Sequence, residues 1–69
     1  MRVYRRCSGN VYGLRCAGVV AVMLVGPAGN RFGRCHDCAE RDLAEYSRTE
    51  SGWSIDEATE EERTTEAAV

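Results

Sequence analysis

Four cysteines in a chain of 69 residues constrain this sequence more than any other feature. They follow the spacing C-x8-C-x18-C-x2-C, and the closing pair has a separation typical of zinc ligands. A core of this size is marginal, and a metal, disulfides or an oligomer usually supplement it. Because a structural zinc site needs four ligands, we predict one Zn²⁺ per chain. The predicted ligands are Cys7, Cys16, Cys35 and Cys38.

The same cysteines allow three other interpretations. Two disulfides would suit a secreted chain. Cys35 and Cys38, expected after a strand and at the start of a helix, also have the arrangement of a thioredoxin-type redox motif. His36, the only histidine, could replace a cysteine as a ligand. We favour zinc with four thiolates, because a redox fold needs a longer chain and would leave Cys7 and Cys16 without a role.

The segment between the first and second cysteine pairs predicts a β-hairpin. Residues 19–25 are all apolar and mostly β-branched, which favours a strand. Turn residues follow at 26–30, and residues 31–34 form the shorter returning strand. Because the first strand is apolar on both faces, the face away from the helix is expected to be covered by residues 2–12 or to bind a partner. A homodimer formed through residues 19–25 is one such arrangement.

A helix is predicted to begin at the second cysteine pair. Asp37 is the expected N-cap, and Ala39, Leu43 and Tyr46 form one apolar stripe at helical spacing. The helix is expected to end near Gly52. A hairpin between two cysteine pairs, with a helix at the second pair, predicts a small α+β domain stapled by zinc and of treble-clef type. A zinc ribbon is the alternative, which the helix disfavours.

The charge distribution divides the chain into a basic and an acidic half. Residues 1–34 hold six arginines and no acid, whereas residues 35–69 hold three arginines and eleven acids. We predict a zinc-binding domain over residues 1–52 and an acidic tail over residues 53–69. A capping box that starts at Ser54 predicts a short, marginal helix in this tail, with disorder from residue 64 onward.

The cysteine-containing segment resembles the short zinc knuckles of small phage and actinobacterial proteins. Residues 7–40 carry the resemblance, with C-x8-C, Gly13 three residues before the second cysteine, and a closing C-x2-C. The plant WRC-type motif is similar. Both usually end in C-x2-H, so that Cys38 stands where those segments have histidine. The resemblance implies a metal-binding knuckle in a small regulator of phage type, and a DNA-binding role in some relatives.

Three functional classes compete for this chain. We favour a protein–protein interaction module or regulator that docks on a larger protein, because an apolar two-faced strand and an exposed tryptophan would suit docking. The alternative is a nucleic-acid-binding zinc finger, in which arginines contact phosphates and aromatic side chains stack on bases. A thiol redox protein is the third class. The residues predicted to contact a partner are Arg5, Arg6, Tyr12, Arg15, Arg31, Arg34 and Trp53.

The length of the apolar run bears on where the protein is located, and the predicted zinc site bears on whether it is an enzyme. A basic start followed by the apolar residues 17–25 resembles a secretory signal. The run is shorter than the roughly 20 residues that span a bilayer, so we expect a soluble cytoplasmic protein without membrane contact. We expect no enzymatic activity, because a zinc site of four cysteines has no open position for substrate. The sequence also shows no phosphate loop and no nucleophile–base pair.

Overall fold

Short strands and two helices form a small α+β fold, as the sequence predicts. The computed structural model describes residues 1–11 and 13–66, with the backbone alone for Val11. The elements are β1 (Arg2–Tyr4), β2 (Asn10–Val11), β3 (Leu14–Arg15), β4 (Val22–Val25), β5 (Arg31–Arg34), α1 (His36–Tyr46), β6 (Ser54–Glu57), α2 (Glu60–Arg63) and β7 (Thr64–Glu66).

The central sheet is antiparallel, with the strand order β5-β4-β6. The predicted hairpin is confirmed, since β4 pairs with β5, with Leu24 opposite Phe32, but β4 begins at Val22 and not at residue 19. Val19 instead forms an isolated bridge with Arg6. On its other edge β4 pairs with β6, and Leu24 lies opposite Ile55. Both edges of β4 are therefore occupied within one chain. The homodimer through residues 19–25 stays a prediction, and pairing at the edge of β4 would require β5 or β6 to detach.

The two faces of this sheet are covered by different parts of the chain. Helix α1 packs on the face that carries Val22 and Leu24, and Leu24 is fully buried there. Side chains alternate along a strand, so Met23 belongs to the opposite face. Residues of α2 and of the N-terminal segment line a cleft of about 430 Å³ that includes Met23. The face away from the helix is thus partly covered by the chain itself.

Helix α1 begins earlier and ends earlier than the sequence predicts. Its N-cap is Cys35, in extended conformation and without a side-chain capping bond, so the assignment of Asp37 as N-cap is wrong. Strand β5 ends at Arg34, so Cys35 is the one residue between strand and helix and takes the N-cap position. Asp37 lies in the first turn, where the helix dipole favours an acid. The helix ends at Tyr46, where its apolar stripe ends, and Gly52 adopts a positive φ of 100° several residues later.

The secondary structure of residues 54–66 differs from the predicted short helix and disordered end. Ser54–Glu57 is a strand of the central sheet instead of the start of a helix, and the capping box belongs to Thr59 at the start of α2. The local signal for a helix is outweighed by pairing with β4. Arg31 holds this segment by ion pairs with Asp56 and Glu62 at 2.9 and 2.7 Å. Strand β7 pairs with β1 in a two-stranded ribbon, where disorder was expected from residue 64.

Candidate metal centre

The structure brings the four predicted ligands together. The Sγ atoms of Cys7, Cys16, Cys35 and Cys38 all lie within 4.8 Å of one another. Four sulfurs bound to one zinc at 2.3 Å in a tetrahedron are about 3.8 Å apart. The Sγ atoms of Cys16 and Cys35 are 3.7 Å apart, and all four thiols are free. The cluster therefore has dimensions that could hold a metal ion, and it contains no disulfide.

The first two thiols are positioned by two backbone turns that bond to each other. The amide of Cys7 donates to the carbonyl of Gly18 at 2.9 Å, and the amide of Cys16 donates to the carbonyl of Gly9 at 3.0 Å. Cys35 and Cys38 come from the N-cap and first turn of α1. The positive end of the helix dipole favours thiolates at these positions. Segments far apart in sequence thus present all four sulfurs to one point.

Two glycines complete the site, and sequence reasoning did not assign them this role. The amide of Gly9 donates to Sγ of Cys7, and the amide of Gly18 donates to Sγ of Cys16, both at 3.3 Å. Hydrogen bonds of this kind favour the thiolate form that a metal requires. The signal was present in the sequence, because Cys7 and Cys16 each start a Cys-x-Gly triplet.

Close packing explains why both positions are glycine. A Cβ atom at Gly9 would lie 2.9 Å from Sγ of Cys38, which is closer than real Cβ contacts allow. At Gly18 the nearest atom would be Cβ of Cys35, at 3.3 Å. The backbone turns therefore approach the helix thiols so closely that a side chain would displace them.

The electrostatic environment of the cluster is set by burial. Cys7 and Cys38 are 1% and 3% exposed, whereas Cys16 and Cys35 are half-buried. Burial raises the pKa of the Cys38 thiol above its ordinary value, and hydrogen bonds with the other three thiols raise it further. Buried thiols this close ionise together only if a cation compensates their charge. A donor set of soft sulfur atoms suits such a metal cation.

A buried ion pair links the cluster to the sheet. Nε of Arg34 donates to Asp42 at 3.0 Å, and both side chains are about nine-tenths buried, with 11% and 9% exposure. Arg34 also donates to the hydroxyl of Ser8, next to Cys7. Arg41 donates to the carbonyl of Asn10 at 2.6 Å. These bonds tie the turn that carries Cys7 to the helix that carries Cys38.

The arginines that the sequence predicts to contact a partner do not all lie on one surface. Arg5, Arg6 and Arg31 line the cleft beside Met23. Arg34 is buried in the ion pair, and Arg15 is exposed on β3. Their predicted role in binding stays a prediction.

The remaining aromatic and histidine assignments have mixed outcomes. Trp53 is half-buried and not exposed as expected, with ring centroids of Tyr46 and Phe32 at 4.8 and 6.3 Å. It covers Gly26, where a Cβ would meet its ring at 3.2 Å. Tyr12 lies outside the described residues. His36 is exposed, and its position in the first turn of α1 is outside the four-thiol group.

Neither helix in the described part of the chain has the length and apolar character needed to cross a membrane. Comparisons with protein-family models, with curated proteins and with solved structures find no match to this chain.

Proposed function

We propose that this protein is a zinc-binding module of treble-clef type, held together by one Zn²⁺ bound to Cys7, Cys16, Cys35 and Cys38. The carrying observation is the four-sulfur group, whose Sγ atoms lie within 4.8 Å of one another. Four thiolates are a common ligand set of structural zinc sites. A knuckle at residues 7–16, the hairpin of β4 and β5, and a helix that opens at the last two ligands support the treble-clef assignment.

The zinc in this proposal has a structural role. Four thiolates fill a tetrahedral coordination shell and leave no position for water or substrate. A thiol redox activity of Cys35 and Cys38 is disfavoured, because Cys7 and Cys16, which a two-cysteine motif would leave without a role, lie in the same four-sulfur group. The four cysteines are free thiols, and thiols stay reduced in a compartment such as the cytoplasm. We therefore propose a binding protein and not an enzyme.

The module is proposed to dock on a larger protein. Two of the six N-terminal arginines are already neutralised within the chain, since Arg31 pairs with two carboxylates and Arg34 with Asp42. Arginines that are already paired contribute less to phosphate binding, because the affinity for nucleic acid rises with the number of cations that contact phosphates. The nucleic-acid alternative is weakened accordingly. Exposed apolar side chains remain, including Tyr4 and Leu14 at 67% and 74% exposure. Protein partners commonly use such side chains.

A binding titration separates protein docking from nucleic-acid binding. The intact, zinc-loaded protein is titrated into labelled mixed-sequence DNA and RNA at low and at physiological salt. We expect weak binding that disappears at physiological salt, because only four of the six N-terminal arginines lack an ion pair among the described residues and could displace counterions from phosphates. Arg15→Glu serves as the matched variant for an exposed arginine. Tight binding at physiological salt that Arg15→Glu abolishes would replace the protein-docking proposal by the nucleic-acid one.

A further inference from the structure

In the part of the chain that the structure describes, strand β1 has one edge without a partner strand. Arg5 donates its amide to the carbonyl of Arg63 at 2.8 Å and accepts from the amide of Val20 at 2.9 Å. Main-chain groups alternate in direction along a strand, so Val3 and Arg5 point toward β7 and Val20. The amides and carbonyls of Arg2, Tyr4 and Arg6 then point the opposite way. Among the described residues, no backbone group bonds to this outer side.

This outer edge is basic. We call it the arginine edge and define it as the outward main chain of residues 2–6 with the side chains of Arg2, Arg5 and Arg6. All three side chains are exposed, and in the described part of the chain no carboxylate lies within ion-pair distance of any of them. Among the described residues, the side chains of Arg2 and Arg5 donate only to Thr64, a neutral residue. None of the three side chains therefore has an ion-pair partner among the described residues, although Glu66 lies opposite Arg2 and two glutamates line the cleft beside Arg5 and Arg6.

The same edge carries apolar surface between its charges. Tyr4 is 67% exposed and Val3 is 41% exposed. On a strand, Arg2, Tyr4 and Arg6 share one face, while Val3 and Arg5 share the other. An added strand would thus meet cations and an aromatic ring on one side, and an apolar residue with a cation on the other.

The positive charge of the arginine edge indicates which kind of strand could pair with it. A second copy that used the full edge, in the antiparallel register centred on Tyr4, would place Arg2 opposite Arg6, and like charges in cross-strand pairs are destabilising. The inner-edge strand β7 holds one acid, Glu66, which pairs with the N-terminal amine of Met1 at 2.8 Å and not with an arginine. An acidic strand on the outer edge would supply the carboxylates that these arginines lack among the described residues.

We propose that the arginine edge binds an extended acidic segment of a partner protein, which adds to β1 as a strand. Main-chain hydrogen bonds at Arg2, Tyr4 and Arg6 would supply affinity, and alternating side chains would supply selectivity. Acidic side chains opposite Arg2 and Arg6 would form the ion pairs that the chain itself leaves unmade. This inference rests on the proposed protein-docking function and names its surface and the chemistry of its partner.

The test uses the full zinc-loaded chain and a synthetic ten-residue peptide of alternating glutamate and valine, labelled for fluorescence anisotropy. Peptide controls are the lysine–valine counterpart and a glutamate–valine peptide with N-methylated amides, which keeps its charge but cannot extend a sheet. Protein variants are Arg6→Glu, Tyr4→Ala and Tyr4→Pro. Proline removes only an outward N–H here and is tolerated on edge strands, so Tyr4→Pro against Tyr4→Ala isolates the main-chain bond.

We expect the glutamate–valine peptide to bind and the lysine–valine peptide not to bind. The change from Ala to Pro at position 4, which removes one hydrogen bond, should weaken binding by about three- to tenfold. N-methylation, which removes several hydrogen bonds, and Arg6→Glu, which reverses a charge, should each weaken binding by at least as much. Equal binding by the N-methylated peptide would contradict strand addition. Tighter binding of a mixed-sequence single-stranded DNA than of the peptide would replace the acidic partner with nucleic acid.

Zinc content is measured on the same samples by native mass spectrometry. A zinc-loaded protein that does not bind the peptide contradicts the inference about the arginine edge alone, and docking at another surface stays open. A protein that lacks zinc contradicts the proposed function itself.

Discussion

At the scale of single residues, the geometry of the candidate metal centre depends on two glycines as well as on the four cysteines. Gly9 and Gly18 donate to the sulfurs of Cys7 and Cys16 and also leave space for the helix thiols. Spacing alone predicted the four ligands. Gly18, two residues after Cys16, suggested a tight turn around that sulfur, but neither Gly9 nor the donor role of the two amides was predicted. A donor amide and a missing Cβ become meaningful only once the helix lies against the turn.

Gly9→Ala should be more damaging than Gly18→Ala. The new Cβ at position 9 would lie 2.9 Å from the Sγ of Cys38, which is buried, whereas the Cβ at position 18 would lie 3.3 Å from the half-buried Cys35. Overpacking costs about 1–3 kcal/mol, and we expect Gly9→Ala at the upper end and Gly18→Ala at the lower. Chemical denaturation of the zinc-loaded variants measures the two costs. Equal stability of both variants and the parent would refute the close approach described here.

Cys38→Ser should weaken zinc binding far more than His36→Ala. Loss of an outer-shell partner costs about 10–100-fold in metal affinity, and loss of a ligand should exceed that range. His36 is exposed and should affect affinity little. Competition with a chromophoric chelator gives both affinities. If His36→Ala abolished zinc binding and Cys38→Ser did not, the ligand set would be three cysteines and the histidine.

At the scale of elements, the ion pairs of two arginines fix how the helix and the tail pack on the sheet. Arg34 and Asp42 join β5 to α1, while Arg31 joins β5 to β6 and α2. The sequence showed the arginines as one basic patch, because local sequence does not show which cations meet which acids. The same limit explains β6, where local capping residues indicated a helix but pairing with β4 produced a strand.

Asp42→Asn should destabilise the fold strongly, whereas Asp37→Asn should not. Asp42 is 6% exposed and pairs with the buried Arg34, while Asp37 is exposed. Removing one partner of a buried ion pair costs about 3–5 kcal/mol, because the other charge stays buried without compensation. Urea unfolding of both zinc-loaded variants gives the comparison. A loss of less than about 1 kcal/mol for Asp42→Asn would show that water or another group compensates Arg34.

The tail should respond to acid through Glu62. Its hydrogen bonds with Arg31 lower the pKa of this carboxyl from 4.5 to about 2. A carboxyl whose pKa is lower in the folded state stabilises that state at pH values above 4.5, and this stabilisation is lost as the pH falls toward 2. The Glu62 side-chain carbon signal in NMR should therefore not titrate between pH 6 and about 4.

Arg31→Met supplies the control for this titration. Without the guanidinium, the pKa of Glu62 should return toward its ordinary value of 4.5, and titration should be visible in the same pH range. If Glu62 titrated identically in parent and variant, the ion pair between Arg31 and Glu62 would not be formed in solution.

At the scale of the whole molecule, the chain has little core of its own. Among the described residues, the fully buried large side chains are Leu24 and Cys7, and Cys7 belongs to the four-thiol cluster. Dependence of the fold on a metal stays a prediction. The sequence predicted the hairpin, the helix and the convergence of the cysteines. It did not predict that residues 54–66 belong to the fold, because their partners Arg31 and β1 lie far away in sequence. Zinc binding, worth about 10–16 kcal/mol in zinc-finger peptides, would exceed what so small a core supplies.

Native mass spectrometry of the intact chain, before and after a strong chelator, tests the central claim most directly. The account predicts one zinc ion per chain before chelation, with compact charge states. After chelation it predicts a metal-free chain with reduced thiols and the broad, high charge states of an unfolded protein. A metal-free chain that keeps compact charge states and carries disulfides would contradict the account.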